Sequence, residues 1–137
     1  MALLDGAKRV NMHFCFRDRD TRGVQLYNNN TEYWDVITEI PFDSDRKRMS
    51  VIMQLAEVLE DQDYGGDKLK EEMKVDDVVG GRNYMVFSKG ADSVMIPLIK
   101  WRDEHEKRTC QQHVREFAKR GLRTLVMASR RIPQRQA

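Results

Sequence analysis

The sequence predicts an α+β domain in which a twisted antiparallel β-sheet is flanked by helices. Three observations lead there. Several short segments alternate apolar with polar residues, or concentrate β-branched and aromatic ones. Most of these segments follow one another through short polar turns. The helical patterns stand at the ends of the strand run and do not alternate with strands, as a parallel doubly wound sheet requires. Neither GxGxxG nor GxxxxGK[ST] occurs, which agrees with excluding Rossmann and P-loop architectures.

The elements are expected in this order. Ala2–Met12 spaces Leu3, Leu4, Ala7 and Val10 as a short amphipathic helix does. His13–Arg17 reads as a strand around Phe14 and Phe16. Arg22–Tyr27 alternates Val24 and Leu26 with polar neighbours, and Asn28–Asn30 supplies a hairpin turn. Glu32–Ile40 suits a long strand, and Met49–Leu55 another. Arg82–Ser88 is expected as the next strand. A helix over Asp92–Ile99 has Asp92 or Ser93 available as its N-cap, although Pro97 sits awkwardly inside it. Glu104–Arg120 is an amphipathic helix with Val114, Phe117 and Ala118 on one side, and Gly121 is placed to cap it. Leu122–Ala128 is expected to return as a strand.

At 137 residues the chain is one domain's worth of sequence. Its hydrophobic fraction of 40% is enough for a core, and its charged fraction of 34% implies a well-solvated surface. A net charge of +2 argues against a dedicated nucleic-acid binder, and no apolar run approaches a membrane span. The chain as it stands therefore reads as soluble. The charge is segregated, however. Residues 56–81, with two Gly-Gly pairs, hold nine acidic against three basic side chains and read as a flexible acidic insertion. Residues 100–137 hold eleven basic against four acidic, which reads first as a solvated helix face. Cys15 and Cys110 form no CxxC pair, and His13, His105 and His113 lack a metal-ligand spacing, so no metal site is expected.

Three stretches stand out for chemistry: PFDSDRKRMSV (Pro41–Val51), FSKGADSV (Phe87–Val94) and KRGLRTLVMASRRIP (Lys119–Pro133). Phe42 offers an aromatic face beside the cationic run Arg46–Lys47–Arg48. Lys89 precedes Gly90 at a strand-to-helix junction, where free backbone N–H groups favour an anion. Arg123 follows Gly121 at a helix-to-strand junction. An aromatic face with three separated cations suits an adenine nucleotide. By themselves these residues also fit a strand-edge aromatic and solvated cations.

In this order, FDSDRKRMSVI, KGADSV and GLRTL resemble the nucleotide-binding domain of P-type ATPases, and most closely the phospholipid-transporting flippase class. The opening ALLDGAKRVNMHFCF resembles the helix and strand that follow the family's SPDEGALV-type motif. The resemblance covers nearly the whole chain except residues 56–81. It implies a single nucleotide-binding domain over residues 1–137, a cytoplasmic fragment of a larger integral membrane ATPase. It also implies that Phe42 stacks on adenine. Lys89 would line the adenine pocket, with Gly90 and Ala91 permitting close backbone approach. Lys47 would lie along the pocket and Arg123 would reach the phosphates. Asp43, Ser44, Met49 and Leu125 are further lining candidates.

The resemblance further implies ATP with Mg as cofactors, and as partners the phosphorylation and actuator domains, a phospholipid substrate and a small accessory transmembrane subunit. The family's DKTGT and TGE motifs do not occur here. The catalytic aspartate is therefore expected in a neighbouring domain, and this fragment is expected to be a monomer that binds ATP without hydrolysing it. The glutamate of the SPDEGALV-type motif would lie before residue 2, so binding is expected to be weak. Two alternatives stand beside this reading: the nucleotide-binding domain of a cation-transporting relative, and a protein-interaction domain using Arg130 and Arg131 on a basic face.

Overall fold

The computed structural model describes residues 2–60 and 84–133. Among these the element order is α1 (Ala2–Arg9), β1 (His13–Arg17), β2 (Thr21–Gln25), β3 (Thr31–Asp43), β4 (Arg48–Leu59), β5 (Tyr84–Gly90), α2 (Asp92–Leu98), α3 (Glu104–Lys119) and β6 (Val126–Ile132). The strands form one six-stranded sheet in sequence order. The pairs β1–β2 and β2–β3 are antiparallel. The expected antiparallel α+β class is the observed one. Two compact units divide the chain: Met1–Thr38, Ile52–Met85 and Arg131–Ala137 form the first, and Glu39–Val51 with Val86–Arg130 the second.

In the first unit, α1 stops earlier than expected because Asn11 takes a left-handed conformation at φ 59°. The Asn11 N–H then donates to the Lys8 carbonyl (3.0 Å) and the Met12 N–H to the Ala7 carbonyl (3.0 Å). This is the paired closure of a helix end that asparagine tolerates. The β2–β3 hairpin closes as its asparagines suggest. Asn29 is left-handed at φ 65°, the Leu26 N–H donates to the Asn30 carbonyl (2.8 Å), and Asn28 Oδ1 accepts from the Asn30 N–H (3.1 Å). Gly23 lies opposite both Phe16 and Tyr33. A Cβ there would stand 2.7 Å from Phe16 Cβ. Its absence lets the two rings meet edge to face, with centroids 5.8 Å apart.

The second unit holds both remaining helices, and its buried apolar side chains are Met95 of α2 and Val126 of β6. Helix α3 is bounded as its sequence requires. The Asp103 carboxylate accepts from the Glu106 N–H (2.7 Å), and the Glu106 carboxylate accepts from the Arg102 N–H (2.9 Å). At the other end Gly121 is left-handed at φ 72°, and the Leu122 N–H donates to the Phe117 carbonyl (3.0 Å).

Two expectations for the second unit need correction, the cap of α2 and the start of the last strand. The N-cap of α2 is Ala91, without a side-chain bond, and not Asp92 or Ser93, because the Ala91 backbone is held by another segment. Pro97 is accommodated inside α2 close to its end, where the Trp101 indole N–H donates to the Ile96 carbonyl (3.2 Å). The last strand begins at Val126 and not at Leu122, since residues 122–125 carry the chain away from the α3 cap.

The acidic segment expected as a loop from residue 56 begins as strand, because β4 runs to Leu59. The rest of that segment beyond residue 60, and the expected strand start at Arg82, lie outside the described residues. No helix among the described residues is long and apolar enough to cross a membrane.

Candidate functional site

Two of the three notable stretches meet through backbone in the second unit. The β3–β4 turn is built by Asp43, whose carboxylate accepts from the Asp45 N–H (2.7 Å) and the Arg46 N–H (3.2 Å). These two bonds hold its carboxyl below the ordinary 3.8 against the opposing desolvation, with the charge of Arg46 as the least of the contributions. The turn closes with the Lys47 N–H donating to the Asp43 carbonyl (2.6 Å) and with Lys47 left-handed at φ 52°. The Lys47 carbonyl then accepts from the Ala91 N–H (3.0 Å). Gly90 is buried against this turn. A Cβ on it would stand 2.6 Å from the Lys47 carbonyl oxygen and 3.0 Å from Arg48 Cα. The glycine of KGA is therefore required by the hairpin backbone, and together these contacts fix the position of Lys89.

Strand alternation then determines what Lys89 sits among. Ser50 Oγ and Ser88 Oγ are 2.7 Å apart, so these two side chains share one face of β4 and β5. Met49 and Val51 on β4, and Phe87 and Lys89 on β5, consequently share the other. A cavity of about 400 Å³ is lined by these four residues, with backbone between them, and by Met127, Ala128 and Ser129 of β6. Its wall is largely apolar and carries one ammonium group. That combination fits a flat heteroaromatic ring with an anionic tail.

The ten sequence candidates are distributed as follows. Met49 and Lys89 line this cavity. Gly90 and Ala91 clamp its edge to the hairpin. Phe42 stands at the end of β3 with 65% of its surface exposed. Asp43 forms the turn, Ser44 is exposed within it, and Lys47 contributes its backbone to the clamp. Arg123 and Leu125 line a second, wider cavity of about 730 Å³ along α3, which also takes in Trp101, Cys110 and Phe117.

Val51, Phe87, Met127 and Ser129 line the first cavity without having been singled out from the sequence. Phe87 had a signal: it lies two residues before Lys89 on a strand and so shares its face.

The family model described as P-type ATPase, cytoplasmic domain N, matches residues 1–137. The chain belongs to that family. Curated relatives of this N domain include the phospholipid-transporting ATPase dnf2 of Schizosaccharomyces pombe, 29% identical over 98% of this chain and 8% of the relative. The phospholipid-transporting ATPase 11C of Mus musculus is 29% identical over 97% of this chain and 9% of its own length. The phospholipid-transporting ATPase IG of Homo sapiens is 30% identical over 96% and 9%. The N domain thus spans less than a tenth of the length of these relatives.

Proposed function

We propose that this N domain binds ATP as part of a phospholipid-translocating P-type ATPase and presents it for phosphoryl transfer to an aspartate outside the chain. The observation that carries the reading is the Lys89 cavity, a mainly apolar recess with one cation, in a chain whose family and named relatives are ATPases. In this reading the apolar side chains of Met49, Val51 and Phe87 take up the base, and Phe42 stacks against it from the β3 end. The Lys89 ammonium supplies positive charge at the recess, and Arg123 meets the phosphates. Clamping Gly90 to the hairpin holds Lys89 in place before the nucleotide arrives, which lowers the ordering cost of binding.

Magnesium enters with the nucleotide. Among the described residues no group of three or more His, Cys, Asp or Glu side chains is placed to hold a metal ion, and the phosphates supply its oxygen ligands. Phosphoryl transfer depends on positioning and charge neutralisation. The role of this domain is accordingly to deliver the γ-phosphate to the phosphorylation domain, with the actuator domain completing the cycle. That cycle would move a phospholipid between leaflets, with a small transmembrane subunit as companion.

Alone, the domain is expected to bind ATP at high micromolar to millimolar strength, about 4–6 kcal/mol, and not to hydrolyse it. The test is a calorimetric titration of the domain and of Lys89→Ala with ATP and GTP. Saturable ATP binding that the substitution weakens at least tenfold supports the reading, and equal affinity in both proteins overturns it.

A further inference from the structure

The two cavities of the second unit share one lining residue among those described, Met127. On one side of it lie Lys89 and Met49, and on the other Arg123 and Leu125. Its position follows from the strand start. Val126, the first residue of β6, is buried, so alternation sends the next side chain outward, and Met127 keeps 55% of its surface exposed. A long thioether side chain thus stands between a mainly apolar recess and a groove lined by the Arg102 and Arg123 guanidinium groups and the Glu106 carboxylate.

We infer that Met127 is a positioning residue for the nucleotide, the ridge over which a ligand seated in the Lys89 cavity must pass to reach Arg123. The inference rests on the nucleotide reading above and adds to it the route between base and phosphates. A base and ribose fill the first cavity, the chain of phosphates crosses the Met127 thioether, and its anionic end enters the Arg123 groove. The height of the side chain at residue 127 therefore sets how much of the phosphate attraction reaches the ligand. Methionine suits the position because it is unbranched and polarisable and can bend aside as the ligand crosses.

The test compares adenosine with ATP, both titrated by amide chemical shifts, in the wild-type domain, Met127→Trp, Met127→Ala and Arg123→Ala. Residue 127 is more than half exposed, so these variants are expected to fold. The Met127→Ala protein serves as the second variant should the indole disturb β6. In the wild-type domain ATP is expected to bind about tenfold more tightly than adenosine, the size of one charge-assisted contact. Met127→Trp is expected to bring that ratio close to the value in Arg123→Ala. Combining the two substitutions is expected to lower the ratio no further. Met127→Ala is expected to keep or raise it. An unchanged ratio in Met127→Trp, with adenosine still bound, overturns the ridge and leaves the nucleotide reading standing. Binding of neither ligand to the wild-type domain overturns both.

Discussion

Replacing Gly90 by alanine tests the clamp on which the position of Lys89 depends. The added Cβ would lie 2.6 Å from both the Lys47 carbonyl oxygen and Arg48 Cβ, and 3.0 Å from Arg48 Cα. Ordinary carbon contacts lie near 3.5–4.0 Å, so the hairpin must retreat by about 1 Å. Two of these three neighbours are backbone atoms and cannot rotate away. The retreat breaks the 3.0 Å bond from the Ala91 N–H to the Lys47 carbonyl. A lost bond of that kind costs about 1 kcal/mol, and overpacking adds about 1–3 kcal/mol, so the total is about 2–4 kcal/mol. With a urea dependence of about 2 kcal/mol per molar, the unfolding midpoint should fall by about 1–2 M.

The control is Gly121→Ala. Gly121 has φ 72° and nothing within 4 Å of an added Cβ, so only backbone strain of about 1–2 kcal/mol applies. Urea unfolding followed by circular dichroism measures both variants, and ATP titration of the folded Gly90→Ala protein reports whether Lys89 has moved. A midpoint loss for Gly90→Ala no larger than for Gly121→Ala, with ATP affinity unchanged, would refute the clamp.

Other substitutions separate the remaining parts. Phe42→Ala, at an exposed side chain, should leave stability within about 0.5 kcal/mol and weaken adenine nucleotides severalfold in calorimetry. Asp103→Ala removes the acceptor of the Glu106 N–H and should cost about 1 kcal/mol, read as a lower urea midpoint. The depressed Asp43 carboxyl stabilises the hairpin above its unfolded value of 3.8, and that contribution is lost as pH falls through the lower folded value. Stability of Asp43→Asn, measured between pH 2 and 5, should accordingly vary less with pH than that of the wild-type domain.

Much of the fold was legible in local sequence because local chemistry determines it. Gly121 and Asn11 each end a helix in a left-handed conformation, one anticipated and one not, and Asn28–Asn30 turns the β2–β3 hairpin. What escaped depends on contacts distant in sequence. Ala91 displaces Asp92 and Ser93 as the cap of α2 because its N–H binds Lys47, forty-four residues away. LRTLVMA has the composition of a strand throughout, yet its first four residues serve the exit from α3, where the Leu122 N–H closes the cap.

The site divides in the same manner. Motif wording singled out Lys89 and Met49, and strand alternation ties Phe87 to the first and Val51 to the second, whereas the Ser50–Ser88 contact is what brings the two pairs to one face. Arg123 and Leu125 came from the same motifs and lie across Met127 in the neighbouring groove.

The most direct test of nucleotide binding is a titration of the domain with ATP, ADP, AMP and GTP, mapped residue by residue through amide chemical shifts and repeated with Lys89→Ala. Adenine nucleotides should shift Met49, Val51, Phe87 and Lys89 saturably, with GTP weaker and the substitution abolishing the effect. If several millimolar ATP left those four residues unmoved, or shifted only the Arg130–Arg131 end of β6, the cavity would not be a nucleotide site.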